Sequence, residues 1–190
     1  IGKRPVWCVS STHEDEEFKI GRFLKKLGQT VPDLLTIIAP RHPNRGADIK
    51  QKLEESYGLK VSLRSAGEKI TPETEVYVAD TIGETGLWYD LCPLVFVGGS
   101  LIPHGGQNFM EPSRMRDAAI VGPHMQAMNR AKKADAVIQV NDVLELEETV
   151  TSLLTNKELL EAKRSLAYNW ANSEAKVLDG ILEKVKGYIE

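Results

Sequence analysis

Two short segments in the first quarter of the chain combine an imidazole or a guanidinium with residues that fix its position. Ser11 and His13 precede the acidic start of a predicted helix, and Arg41 and His42 follow Pro40 at the end of an apolar run. An imidazole at a helix start can donate to a phosphate or a carboxylate, and an arginine held beside prolines suits anion recognition. The ordinary alternatives are helix capping and a solvated arginine. We predict that both segments contribute to an anion site.

A third segment, residues 80–85, places Gly83 and Glu84 after another apolar run. Glycine lets a backbone approach a ligand closely, which would suit a binding loop. Capping of the following helix by Asp80 or Thr81 explains the same residues equally well. This segment therefore stays open between a ligand contact and a helix start.

The segment 96–112 carries the strongest pattern, because a buried strand runs into Gly98-Gly99 and a second pair, Gly105-Gly106, opens a helix. Free backbone N–H groups together with a helix dipole form an anion site. Glu111, about one turn into that predicted helix, can accept two hydrogen bonds from a ribose diol. The spacing is neither GxGxxG nor a P-loop, so a generic dinucleotide or P-loop site is not indicated. A last stretch ending in His124 follows another strand and is predicted to line the same edge.

All of these segments follow predicted strands in an alternating pattern of strands and helices. The strands are predicted at Val6–Ser10, Leu34–Ala39, Val61–Leu63, Val76–Ala79, Leu94–Val97, Ala119–Val121 and Val137–Val140. The helices are predicted at Glu14–Leu27 with Gly28 as C-cap, Ala47–Tyr57, Leu87–Leu91, Asn108–Arg116, Met125–Ala134, Val143–Leu154 and Lys157–Ile189. This alternation favours a parallel sheet with helices on both faces, a Rossmann-like α/β domain that binds ligands at the carboxyl ends of its strands.

The composition is that of one soluble globular domain of 190 residues, 42% hydrophobic and 27% charged. The 24 basic and 27 acidic residues give a net charge of −3, which excludes a generally basic nucleic-acid binder. No apolar run approaches the ~20 residues that cross a bilayer, and no Cys/His group has the spacing of a zinc site. Cys8 and Cys92 are predicted to be buried free thiols.

Taken together and in order, these segments resemble the 3-deoxy-D-manno-octulosonic acid (Kdo) transferases of lipopolysaccharide synthesis, and specifically their C-terminal, donor-binding half. The motifs that carry the resemblance are Ser11-Thr12-His13 with Glu16-Glu17, Ala39-Pro40-Arg41-His42-Pro43, Asp80-Thr81-Ile82-Gly83-Glu84, Phe96-Val97-Gly98-Gly99-Ser100-Leu101, Gly105-Gly106-Gln107-Asn108, Glu111-Pro112 and Gly122-Pro123-His124. Several motifs in family order are more specific than any single one. Because the chain begins with Ile1, we expect it to be a piece of a longer protein.

The resemblance implies a GT-B glycosyltransferase, in which two Rossmann-like domains face a cleft, with residues 1–190 as the C-terminal domain. The donor would be CMP-Kdo, and the acceptor a lipid A precursor on the cytoplasmic side of the bacterial inner membrane. The acceptor surface, the membrane association and the catalytic base would belong to an N-terminal half outside these residues. No catalytic residue, cofactor or metal is therefore assigned here, and this fragment alone is expected to be soluble and inactive.

The resemblance also assigns eight donor-binding residues: His13, Pro40, Arg41, Ile82, Gly83, Glu84, Asn108 and Glu111. Arg41 would hold the CMP end of the donor, Glu111 would bind the ribose hydroxyls, and His13 would face the phosphate or the sugar. Residues 82–84 would contact the base or the ribose, and Asn108 the phosphate. Five further candidates would line the same cleft: Ser11, His42, Gly105, Gly106 and His124.

Two alternatives fit the same residues, and the second belongs to a different class of protein. Another GT-B sugar-nucleotide enzyme, a UDP-sugar transferase or an epimerase, would share the phosphate site and the ribose-binding glutamate. A non-catalytic nucleotide-binding or interaction module would instead use the apolar face of the helical tail, at Leu178, Ile181, Leu182, Val185 and Ile189, to dock a partner. Base preference separates the first alternative from the Kdo transferase, and nucleotide affinity separates the second.

Overall fold

The computed structural model describes the backbone of residues 1–189 and the side chains of residues 1–175 and of Val185. Seven strands lie in this part of the chain: β1 (Val6–Thr12), β2 (Leu35–Pro40), β3 (Val61–Leu63), β4 (Val76–Val78), β5 (Leu94–Val97), β6 (Ala118–Val121) and β7 (Ile138–Gln139). The helices are α1 (Glu16–Thr30), α2 (Gly46–Tyr57), α3 (Thr85–Leu91), α4 (Met110–Arg114), α5 (Asn129–Lys133), α6 (Val143–Thr155) and α7 (Lys157–Ile189), with a short 3-10 helix at Pro43–Arg45.

All seven strands pair in one sheet in the order β3-β4-β2-β1-β5-β6-β7, and every pairing is parallel. Strand β1 pairs with both β2 and β5, so the order of strands reverses at this point. In a doubly wound sheet, the loops that follow the two strands on either side of such a reversal diverge and leave a crevice. The crevice here lies at the carboxyl ends of β1 and β5, where the sequence places His13 and Gly98.

Apolar side chains cover both faces of the sheet, which gives the three layers that the sequence predicts. On one face, Trp7 and Phe96 pack with Ile20 and Leu27 of α1 and Leu146 of α6. On the other face, apolar side chains of the strands pack with buried residues of α3 and α5. Strands of this kind, apolar on both faces, are typical of buried parallel sheets.

The predicted strands and helices are confirmed, with different bounds at several ends. Helix α1 continues beyond Gly28 to Thr30 because the chain leaves the helix only at Val31, which is buried and donates its N–H to the Leu27 carbonyl; the predicted C-cap is therefore wrong. Gly58 does end α2, in a left-handed conformation with φ of 61°.

Two predicted helices are shorter than expected. In the helical tail, only some of the side chains are described. Helices α4 and α5 have five residues each, because residues 105–108 and 125–128 before them are irregular rather than helical. The long helix α7 confirms the helical tail. Val185 is exposed, and the other members of the predicted apolar face, Leu178, Ile181, Leu182 and Ile189, lie outside the described side chains.

Two further findings bear on partners of the domain. None of the described helices combines the length and apolar character that a transmembrane segment needs. Cys8 and Cys92 are buried free thiols, as predicted. Their contact with each other and their burial raise the pKa of the Cys8 thiol, so this thiol stays protonated at neutral pH.

Candidate functional site

The carboxyl end of β1 is irregular, because its register with β2 shifts between Ser10 and Thr12. Ser11, between them, has a φ of 54°, in the left-handed region that residues other than glycine rarely adopt. Gly98 approaches this bulge so closely that a Cβ at position 98 would lie 2.6 Å from the Ser11 carbonyl oxygen. The loops after β1 and β5 are thus locked together at the point where the strand order reverses.

A buried carboxylate, Glu16, holds the first glycine pair in place. Its Oε2 accepts hydrogen bonds from the backbone N–H groups of His13 (3.0 Å) and Gly99 (2.6 Å), and its Oε1 accepts from those of Ser100 (3.1 Å) and Leu101 (3.0 Å). Burial raises the pKa of the Glu16 carboxyl, although the hydrogen bonds from the Gly99, His13 and Leu101 N–H groups favour its charged form. The Gly98 N–H donates to the Ser10 carbonyl at 2.7 Å and the Gly99 N–H to Glu16, so the first glycine pair of the predicted anion segment is hydrogen-bonded within the protein.

A cavity of about 370 Å³ opens beside the bulge, between the loops that follow β2 and β4. It brings together six of the residues that the sequence analysis selected: Ser11, Pro40, Arg41, His42, Ile82 and Gly83. Arg41 and His42 are exposed, and the Arg41 backbone N–H donates to the Thr12 carbonyl at 2.9 Å. The cavity therefore offers a guanidinium, an imidazole and exposed backbone around a space that a small anionic ligand can enter.

The same loop contains a second arginine with a structural role. Arg45 donates from Nη1 and Nη2 to the two carboxylate oxygens of Glu17, at 2.9 and 3.2 Å, and the Thr12 hydroxyl donates to Glu17 at 2.6 Å. Because Glu17 is buried, this pairing fixes the loop after β2 against α1. The Arg45 side chain is thus held in an internal ion pair, whereas Arg41 lines the cavity.

The segment after β4 is held by a second ion pair. Arg64 donates to both carboxylate oxygens of Glu84, at 2.7 and 2.5 Å, and the Thr81 hydroxyl donates to the same carboxylate. These hydrogen bonds lower the pKa of Glu84 to about 2. The Glu84 side chain is therefore turned to Arg64, and what this segment presents to the cavity is Ile82 and Gly83.

Asp80 does not cap α3, which was one of the two interpretations of its segment. Its carboxylate accepts hydrogen bonds from the Ser65 N–H and hydroxyl at 2.8 and 2.6 Å. Gly46 lies against the same carboxylate, and a Cβ at that position would overlap it. Asp80 is therefore a buried link between the segment after β3 and the start of α2.

Asn108 and Glu111 lie together on the loop after β5. The Asn108 Nδ2 donates to Glu111 Oε1 at 3.1 Å, and the Asn108 Oδ1 accepts from the Met110 N–H at 3.0 Å. Both side chains are exposed, and Glu111 lies in the first turn of α4 rather than one turn in. A second cavity of about 540 Å³ is lined by Gly105, Gly106 and Asn108 among others.

Three imidazoles meet between these two regions. His13 stacks on His104 with ring centroids 4.4 Å apart, and it meets His42 edge to face at 5.8 Å. The sequence predicts no site role for His104, since its loop has no periodicity that could place it beside His13. His124 is exposed, and among the described residues it belongs to the lining of neither cavity. No group of three or more His, Cys, Asp or Glu residues in the described part of the chain is placed to hold a metal ion.

Comparisons with known proteins agree on one family. No model of a protein family matches the chain. The chain is 40% identical, over 85% of its length, to the probable mitochondrial 3-deoxy-D-manno-octulosonic acid transferase of Arabidopsis thaliana, of which it covers 38%. It is 31% identical, over 98% of its length, to the 3-deoxy-D-manno-octulosonic acid transferase of Haemophilus influenzae, of which it covers 45%. The chain thus spans less than half the length of these curated relatives.

A solved structure matches over nearly the whole domain. The crystal structure of the C-terminal CMP-Kdo binding domain of WaaA from Acinetobacter baumannii has a TM-score of 0.80 and 31% identity to this chain. The match covers 88% of this chain and 89% of that one. In both sequence and fold, this chain is therefore similar to the C-terminal domain of one such protein.

Proposed function

We propose that this chain, which belongs to the family of 3-deoxy-D-manno-octulosonic acid transferases, binds the CMP-Kdo donor as the C-terminal half of such an enzyme. Its fold is that of the C-terminal half of a GT-B glycosyltransferase, as the sequence predicted. The observation that carries the proposal is the cavity that joins Arg41 to the exposed segment at Ile82 and Gly83. The alternative of a UDP-sugar enzyme finds no support in the names of the relatives.

Each end of a CMP moiety has a chemically suitable partner at this cavity. The Arg41 guanidinium can donate two hydrogen bonds to the phosphate. Ile82, with 88% of its surface exposed, is an apolar side chain that would become covered by a pyrimidine ring. The backbone of Gly83, with φ of 85°, can approach the base or the ribose without a side chain in the way.

Glu111 and Asn108 would complete the nucleotide site from the other side of β1. Strand β1 lies between β2 and β5, so the loops that follow β2 and β5 are roughly 10 Å apart. A nucleotide and the side chains around it can fill such a gap. In the proposal the Glu111 carboxylate accepts hydrogen bonds from the ribose hydroxyls, and Asn108, which already holds this carboxylate, lies near the phosphate.

The complete enzyme would transfer Kdo to a hydroxyl group of a lipid A precursor, with inversion at the anomeric carbon. The acceptor oxygen forms a bond to that carbon while the bond to the CMP phosphate breaks, and a base in the other half takes the acceptor proton. Arg41 stabilises the negative charge that develops on the departing CMP. The acceptor and the cytoplasmic face of the bacterial inner membrane would be contacted by the half outside this chain.

The direct test of this proposal is a titration of the chain with CMP, with UMP and AMP as controls, followed by backbone amide NMR. We expect CMP to shift the amides of Arg41 and Gly83 and those of residues 108–111, and to bind more tightly than either control. Tighter binding of UMP would favour a UDP-sugar enzyme. Absence of binding by every nucleotide to the folded domain would favour the interaction module.

Replacing Arg41 by alanine is expected to weaken CMP binding by about tenfold or more, since a charge-assisted hydrogen bond to the phosphate is lost. Stability should change little, because the guanidinium is exposed. The matched control is Arg22→Ala, which removes an exposed arginine that lies over the Phe18 ring on α1, away from the cavity. Isothermal titration of both variants checks the prediction, and equal CMP affinities would contradict the role of Arg41.

A further inference from the structure

The three imidazoles of His13, His42 and His104, which we call the histidine cluster, lie at the reversal of strand order between β1 and β5. His13 is half-buried, with His104 stacked on it and His42 against its edge. Both partners are exposed, and His42 also lines the cavity that contains Arg41. The cluster is thus a surface feature beside the proposed phosphate position.

One guanidinium and three imidazoles, all groups that can carry a positive charge, lie together at this edge of the sheet. Arg41 and the two neighbouring imidazoles oppose a positive charge on His13, and the Glu17 carboxylate favours one. Glu17 is held by Arg45 and Thr12, and the nearby Glu16 is held by four backbone N–H groups. Both carboxylates are therefore hydrogen-bonded within the protein. Arg41 and the three imidazoles can then attract an anion from solution.

From this arrangement we infer that the histidine cluster binds the carboxylate of the donor sugar and so selects acidic sugars over neutral ones. The inference rests on the proposed function, because it takes the sugar to be a 2-keto acid bound through a phosphate. In such a donor the carboxylate and the phosphate oxygen are attached to the same anomeric carbon. A site that holds the phosphate with Arg41 must therefore meet a second negative charge within a few bonds of the first.

Imidazoles suit this second anion because they can gain a proton, and with it a positive charge, when the anion binds. Burial lowers the pKa of His13, and the charges of His104, His42 and Arg41 lower it further. In the free protein the Gln107 amide nitrogen, 3.3 Å from His13 Nε2, donates to that ring nitrogen, which is therefore unprotonated. An arriving carboxylate favours the protonated form, so the binding of an acidic sugar takes up a proton at neutral pH.

The test compares a CMP-linked 2-keto acid sugar with its carboxyl methyl ester, using this chain and its His104→Gln variant. We expect the wild type to bind the acid about tenfold more tightly than the ester, because a charge-assisted hydrogen bond is present only with the acid. His104→Gln should reduce this preference to near zero while its affinity for CMP stays unchanged. Equal affinities of the wild type for acid and ester, or an undiminished preference in the variant, would overturn the inference.

Calorimetry in two buffers of different ionisation enthalpy supplies a second readout, which a merely structural histidine would not move. Binding of the acid should take up protons at pH 7, and binding of the ester should take up fewer. Equal uptake by both ligands would contradict the inference while leaving the proposed function intact. If CMP itself fails to bind, the proposed function is wrong and this inference falls with it.

Discussion

Replacing Glu16 by glutamine is expected to lower the free energy of unfolding by about 2 to 4 kcal/mol, although the two side chains are nearly isosteric. Each carboxylate oxygen accepts two backbone N–H groups, so the amide nitrogen of glutamine would face two donors whichever way it turned. The buried position leaves no water to take over these hydrogen bonds. We expect the destabilisation to appear as a lower midpoint in urea unfolding.

The matched control is Glu14→Gln, which makes the same change two residues earlier at an exposed position. Amide hydrogen exchange locates the effect, since Gly99, Ser100 and Leu101 should exchange faster in the Glu16 variant and at the wild-type rate in the control. If the two variants unfold at the same urea concentration, Glu16 does not hold the loop after β5 as the structure indicates. If the Glu16 variant fails to fold while the control folds, the prediction is met in its strongest form.

The sequence pattern predicted the sheet because the information for it is local. The run Leu94–Val97 is apolar at every position, which few structures other than a strand buried on both faces accommodate. Gly58 ends a helix through its own left-handed backbone, a property that a single residue expresses. Where an apolar run or a glycine of this kind marks the end of a strand or helix, the predicted bound lies within a few residues of the observed one.

The sequence could not predict how the charged residues are paired, because the partners are far apart in the chain. The acidic start of α1 reads as a favourable interaction with the helix dipole, whereas Glu16 bonds to N–H groups more than 80 residues away. Arg41 and Arg45 belong to one loop and have the same chemistry. Only the position of Glu17 in the folded structure separates the arginine that fixes the loop from the one that faces the cavity.

The same limit explains which site residues were found and which were missed. Six predicted residues line one cavity because the carboxyl ends of neighbouring parallel strands always meet at one edge. His104 and the Ser11 bulge depend on how two loops pack on each other, which leaves no periodic signal. The resemblance assigns Glu84 to the ligand, but its side chain accepts two hydrogen bonds from Arg64. Glu84 therefore stabilises its own loop, and its distant partner Arg64 could not be read from the sequence.

A buried carboxyl outside the site, Asp117, makes the stability of the domain depend on pH. Asp117 precedes β6, is 2% exposed, and its Oδ2 has no hydrogen-bond partner among the described residues. Burial raises the pKa of Asp117 to about 8; Arg164 opposes this shift and Asp90 adds to it. At neutral pH the folded protein therefore keeps this carboxyl protonated, whereas the unfolded chain, with an ordinary pKa of about 3.9, releases the proton.

Between about pH 4 and pH 8 the folded state binds one proton more than the unfolded state at this residue. The free energy of unfolding then falls as pH rises, by up to about 1.4 kcal/mol per pH unit from Asp117 alone. Asp117→Asn removes this pH dependence of the free energy of unfolding, because the amide does not titrate. From pH 5 to pH 7 we expect the wild type to lose about 2 to 3 kcal/mol relative to the variant, measured by urea unfolding at each pH.

The comparison of slopes is more informative than the stability at any one pH, because the asparagine amide would also lack a partner for its buried nitrogen. At pH 5 the wild type and the variant are both neutral at position 117, so a difference in stability there reflects the buried amide and not a charge. The control is Asp33→Asn, which makes the same change at an exposed position. Parallel pH profiles for the wild type and Asp117→Asn would mean that the Asp117 carboxyl is solvated or paired in the folded protein, and that the packing at the start of β6 differs from that described.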